Sequence, residues 1–198
     1  MMIKIYTDGS CLGNPGAGGW AAVLVDEKSR EEIFGGEEHT TNNRMELTAA
    51  IRALEKISAG TTVELFTDSS YLKNAFTNGW LAKWKRNGWK TANKTPVLNQ
   101  DLWLALDELI STRAVKFNWV KGHAGNFFNE RCDVLARSTA EKFQRGQFKI
   151  SPPKKNSSPS KKISEPIKNP SPQKKSTPKK FSTPIKNLPR GQLSLFDF

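Results

Sequence analysis

The 198-residue chain holds only two cysteines, two histidines and two tyrosines. Cys11 and Cys132 have no metal-ligand spacing, which excludes a zinc ribbon or finger, and their thiols are expected to be reduced. No apolar run approaches the ~20 residues needed to cross a bilayer. The N-terminus, MMIKIYTDG, passes straight into an alternating pattern without the apolar block of a signal peptide. The expected setting is therefore the cytoplasm, with no membrane partner. Acid is scarcest in the last quarter. Residues 144–198 carry 13 Lys+Arg against Glu165 and Asp197 alone, and 9 of the 11 prolines. Residues 1–143 carry 18 Lys+Arg and 17 Asp+Glu, so almost all of the +12 charge belongs to the tail. A second globular domain there is excluded, because the tail is too polar and proline-rich to form a core.

The first 143 residues suffice for one domain. Ile3 and Ile5 alternate with Lys4 and Tyr6 until Thr7-Asp8-Gly9 ends the run, the pattern of a strand closed by a turn. Residues 18–27 and 31–38 read as two more strands in a meander. TNNRMELTAAIRALEKI then changes period: Leu47, Ala50, Ile51, Leu54 and Ile57 fall at helical spacing, and Asn43 with Glu46 resembles a capping box. A strand is expected at 62–67, short helices at 71–76 and 80–86, and a helix from a cap at Asn99 that buries Leu102, Trp103, Leu106, Leu109 and Ile110. A last strand at 115–120 and a last helix at 126–144 complete a mixed-sheet α/β domain.

Four acids stand where a sheet-based metal site would want them. Asp8 and Asp68 each follow a threonine at the C-terminal end of an apolar strand, and neighbouring parallel strands would bring both to one sheet edge. Glu46 falls in the first turn of a helix and Asp133 near the start of the last. Oxygen-only donors suit Mg²⁺, or Mn²⁺, rather than zinc. One or two ions are expected; two lying roughly 3.5–4 Å apart can activate water and stabilise the leaving oxygen of a phosphodiester. Each acid alone also fits an ordinary turn or helix-start role, and spacing cannot show that the four meet.

Five segments carry a closer likeness. TDGSCLGNPGAGGWAAVL, TTNNRMELTAAIRALE, TDSSY, GWKTANKTPVLNQDLW and WVKGHAGNFFNERCDVLAR, in that order, resemble the bacterial form of type I ribonuclease H from about residue 3 to 140. The resemblance implies a ribonuclease H-like fold with a five-stranded mixed sheet flanked by helices. It also implies an endonuclease that cuts the RNA strand of RNA–DNA hybrids, leaving 5′-phosphate and 3′-hydroxyl ends. The family's metal-binding acids fall on Asp8, Glu46, Asp68 and Asp133, and its proton-transferring loop histidine on His123. A neutral imidazole on a glycine-flanked loop can exchange protons near pH 7. His39 has no such motif and is expected to be an ordinary surface residue.

An enzyme that separates RNA from DNA must read the 2′-hydroxyl. The resemblance assigns that contact to the backbone around Cys11 and to Asn14, Asn42, Asn43 and Glu46. It assigns a phosphate pocket for the DNA strand to Asn14, Thr41 and Arg44. Ser70 departs from the family, which commonly has glutamine there, so a base-edge hydrogen bond is expected to be absent or carried by water. GWLAKWKRNGWKTANK resembles the family's basic protrusion. Trp80 would pack on deoxyribose while Lys83, Lys85 and Arg86 meet phosphates, and Trp84 and Trp89 read equally well as core.

The tail, 144–191, reads as a disordered basic linker with a PIKN repeat at 166–169 and 184–187. Its end gathers apolar weight. Gln192, Leu193, Leu195 and Phe196, in QLSLF, resemble the pentapeptide that docks bacterial proteins on the replication sliding clamp. Ser-Pro and Thr-Pro steps along the linker could take phosphate. No segment argues for oligomers, so a monomer is expected. The competing readings are a hybrid-binding or clamp-interaction protein with little catalysis, and a resolvase or exonuclease on the same core.

Overall fold

The computed structural model describes residues 2–147. The linker beyond residue 147 and the clamp-like peptide at 192–198 lie outside the described residues. Five strands and five helices run β1 (Met2–Leu12), β2 (Gly16–Val25), β3 (Arg30–Thr40), α1 (Asn42–Glu55), β4 (Thr62–Thr67), α2 (Ser70–Thr77), α3 (Trp80–Arg86), α4 (Gln100–Ser111), β5 (Ala114–Trp119) and α5 (Phe127–Gln144). They form one sheet in the order β3-β2-β1-β4-β5. The first three strands are an antiparallel meander, and β4 pairs parallel with both β1 and β5. This is the mixed α/β sheet expected from the alternation of strands and helices.

The period-two pattern of β1 splits the core. Ile5, with Val63 and Leu65 of β4, faces a layer built by α1, α2 and α4, where Leu47, Leu54, Leu72, Trp103 and Leu106 are fully buried. Tyr6, with Ala21 and Val23, faces α5, where Cys132 and Ala136 are fully buried. Trp103 satisfies its one donor inside the larger layer, its indole N–H donating to the Tyr71 hydroxyl at 3.0 Å. Truncating such a ring to alanine costs roughly 3–5 kcal/mol. Leu102, Leu109 and Ile110, expected to be buried with Trp103, are half-buried around it, because they flank the stripe of α4 that meets the core.

Helix starts differ from the sequence expectation in their chemistry. The α1 cap position is Thr41, which makes no side-chain cap bond, so Asn43 and Glu46 form no capping box. Asn99 does stand at the α4 cap position, yet its backbone is left-handed (φ 58°) and its side-chain amide donates to Tyr71 at 3.4 Å. The start of α5 follows the rule: the Asn126 side chain accepts from the amide of Asn129 at 3.2 Å.

Candidate active site

Parallel pairing of β1 with β4 stops at Thr7 opposite Thr67, so Asp8 and Asp68 lie side by side where these two strands part, although β1 itself runs on to Leu12 against β2 instead of closing in the turn expected at Gly9. Helix α1 comes to that edge because residue 9 is glycine. A Cβ there would lie 2.3 Å from the backbone nitrogen of Glu46, so only a bare Cα lets helix and strand touch. The result is a tight group in which one carboxylate oxygen each from Asp8, Glu46 and Asp68 lie within 4.8 Å of one another. Asp133, in the second turn of α5, is not part of that triad but stands beside Asp8, acting on it as a neighbouring charge and hydrogen-bond partner.

Each acid is held by a donor. The amide of Gly9 donates to Asp8 Oδ1 at 2.9 Å, and Asn42 Nδ2 to Glu46 Oε1 at 3.2 Å. Asn129, itself buried, donates from Nδ2 to Asp68 Oδ2 at 3.1 Å. Even so, the triad is short of positive charge. Burial, then repulsion from Asp68, pushes the Asp8 carboxyl up to about 7. Burial, then Asp8 and Asp68, holds the Glu46 carboxyl well above the usual range. Glu46 Oε2 is buried with no hydrogen-bond partner, and so is Asn129 Oδ1. An unpaired buried acceptor among three crowded carboxylates is what a divalent cation with oxygen ligands would satisfy, so the donor set fits a hard metal ion.

The loop between β5 and α5 closes over one side. A Cβ at Gly122 would approach Asp68 Oδ2 to 2.7 Å, so this glycine lets the loop rest against the carboxylate. His123 follows it with left-handed backbone (φ 52°) and an exposed ring. His39 is exposed on β3.

Comparison with known proteins gives the family. The family model described as RNase H matches residues 2–141. The chain belongs to the RNase H family. It is 55% identical over 138 residues to the ribonuclease H of Nitratidesulfovibrio vulgaris (strain DSM 19637 / Miyazaki F), covering 70% of this chain and 88% of that protein. Among solved structures it resembles LC9-RNase H1, a type 1 RNase H with the type 2 active-site motif, at 31% identity and a TM-score of 0.63, over 74% of each chain. It also resembles LC11-RNase H1, solved in complex with an RNA/DNA hybrid, at 26% identity and a TM-score of 0.54, over 71% of this chain and 97% of that one. The protein is an enzyme of the ribonuclease H class.

Within this RNase H domain the expected substrate residues lie at the end of β1 and its turn and on α1, α2 and α3. Cys11 is half-buried near the end of β1, its thiol donating to the Gly13 carbonyl at 2.8 Å, while exposed Asn14 in the turn accepts from the Asn42 amide at 3.2 Å. Thr41, Asn42, Asn43 and Arg44 are half-buried at the start of α1. Arg44 is already engaged, its guanidinium donating to both oxygens of Asp101 at 3.0 and 2.8 Å. Ser70 opens α2, exposed. Along α3, Lys83 and Arg86 are exposed and Lys85 pairs with Asp107. Trp80, Trp84 and Trp89 are all half-buried and packed against the core, with Trp80 and Trp84 rings 6.0 Å apart. Asn129 and Ser69 are the residues that sequence reading passed over. Buried Ser69 caps α2 by accepting from Leu72 N at 3.3 Å and also helps hold the Glu46 carboxylate. Both were inside quoted motifs, but nothing in a sequence marks which polar residue will face an acid.

Proposed function

We propose that this RNase H domain hydrolyses the RNA strand of RNA–DNA hybrids with divalent cations held by Asp8, Glu46, Asp68 and Asp133. The observation that carries the reading is the crowded triad with its unpartnered Glu46 oxygen. The hybrid bound by LC11-RNase H1 supports the substrate class. A bound Mg²⁺ or Mn²⁺ would polarise water and neutralise charge gathering on the phosphate. The chain's own groups do the rest. Gly9, Asn42 and Asn129 fix the three carboxylates against their mutual repulsion, so the site is organised before substrate arrives. A water oxygen bonds to phosphorus and gives up a proton as the P–O3′ bond breaks, O3′ leaves and takes a proton, and the ends are 5′-phosphate and 3′-hydroxyl. His123, exposed on its loop, carries protons between this edge and solvent. Asn14, Asn42 and Asn43 read 2′-hydroxyls, and the cations of α3 and Arg44 hold the DNA strand.

The tail extends the proposal. Residues 144–191 tether the domain with a root-mean-square reach of roughly 40 Å, and Gln192, Leu193, Leu195 and Phe196 dock on a bacterial sliding clamp. Titrating that clamp with the full chain and with a chain ending at Gly191 tests the tether. Loss of binding with the last seven residues supports it, and equal or absent binding overturns it. Catalysis is tested with a hybrid labelled on the RNA strand: Mg²⁺-dependent cuts with the stated ends are expected. No cleavage under any divalent ion overturns the reading.

A further inference from the structure

Beside the acids, between α2 and the outer strand β5, lies a cavity of about 170 Å³ lined by Thr67, Lys73, Phe76, Phe117, Asn118 and Trp119. Its base is a stacked pair, Phe76 on Phe117 with ring centroids 3.9 Å apart. Trp119 forms its rim and remains 47% exposed, although it ends an apolar face whose preceding members, Val115 and Phe117, pack against the core. The indole is fixed in place, its N–H donating to the backbone carbonyl of Asp68 at 3.2 Å. Thus the residue that contributes a carboxylate to the triad also anchors this ring. The Lys73 ammonium lies over the indole, 4.2 Å from the centroid, and no carboxylate among the described residues pairs with it. The Asn118 amide nitrogen is buried without an acceptor.

We infer that this cavity is a further subsite for the RNA strand, taking the nucleotide next to the one being cut. The inference rests on the proposed hybrid cleavage and adds Lys73 and Trp119 as positioning residues. The Lys73 ammonium, resting on the indole, has no anionic partner among the described residues, and the anchored indole keeps about half of its surface exposed. A nucleotide supplies both partners at once, a phosphate for Lys73 and a ribose or base for Trp119. The strand involved is the RNA strand, because Asp68 ties the ring directly to the group that must meet the scissile phosphate. A cation here also resists slippage of the strand away from the acids while the other contacts hold the DNA strand farther off.

The test uses the full chain and three hybrids sharing one cut site: a long hybrid, and two whose RNA strand stops just beyond the cut on one side or the other. Lys73→Gln is expected to raise KM on the long hybrid about fivefold and to lower the slope of log affinity against log salt by about one. Trp119→Leu is expected to raise KM similarly. On one of the truncated hybrids, the one lacking the nucleotide that fills the cavity, wild type and variants become equal, while the other truncation preserves the difference. Equal ratios on all three hybrids, or no change in KM on any, overturn the subsite and leave hybrid cleavage standing. A wild-type chain that cuts none of them overturns the functional reading and the subsite together.

Discussion

Gly9 and Glu46 touch through their backbones, with no room for even one methyl group between β1 and α1. That contact places a helix carboxylate beside a strand carboxylate, and so it sets the position of the whole acidic group.

Gly9→Ala therefore forces α1 off the sheet. Overpacking of this kind costs roughly 1–3 kcal/mol, and backbone atoms cannot yield as a flexible side chain can. Melting followed by circular dichroism should fall by about 5–10 °C for a domain of this size. Cleavage should fall further, by on the order of a hundredfold, because small misplacement of reacting groups is expensive. A variant with wild-type melting and activity contradicts the contact.

Asp68→Asn separates function from stability. It removes one of the charges that raise the Asp8 and Glu46 carboxyls, so repulsion in the metal-free triad relaxes. The metal-free variant is expected to melt a few degrees above wild type at pH 8 while RNA-strand cleavage is lost. Lower stability with loss of activity would show that Asp68 chiefly supports the fold.

The pH dependence follows from the same crowding. The folded Asp8 carboxyl is held near 7, above the ordinary 3.8, so between those values the folded state holds a proton that the unfolded chain has released. Stability in chelator is therefore greatest at acid pH and declines as pH rises through about 7, after which this contribution is spent. Excess Mg²⁺ should flatten the decline, because the cation replaces the proton. Urea titrations at pH 5, 6, 7 and 8, with and without Mg²⁺, measure the difference. Identical slopes in both series contradict the site.

Asn129→Ala removes the donor that holds Asp68 and leaves a half-buried acceptor short of a partner. Loss of such a supporting bond typically weakens metal affinity or activity about 10–100-fold. Calorimetric Mn²⁺ titration and cleavage rates should both show it. Unchanged affinity would make Asn129 a packing residue only.

The alternation of Ile3 and Ile5 and the 3.6-residue spacing of Leu47, Ala50, Ile51 and Leu54 marked strand and helix because one face of each meets the core. Thr-Asp at the ends of two apolar runs marked the two acids that meet, since the β1–β4 parallel pairing stops at Thr7 and Thr67; that β1 continues past Asp8 to Leu12 along β2 was not legible. Details set by tertiary contact were not legible. Glu46 reads as a capping-box acid, yet Gly9 draws its helix in and turns it toward Asp8 and Asp68. Arg44 reads as a free phosphate ligand, yet it already grips Asp101 across 57 positions of sequence. Asn129 carries no signal of its own, because its partner lies 61 positions away.

The most direct test of the account is to measure Mn²⁺ binding and hybrid cleavage on the same samples of wild type and Asp8→Asn, with circular dichroism as a check of fold. Wild type should bind the ion and cut only the RNA strand of the hybrid, and the folded variant should lose both together. A folded Asp8→Asn chain that binds no ion yet still cuts the hybrid would contradict the claim that these carboxylates act by holding metal.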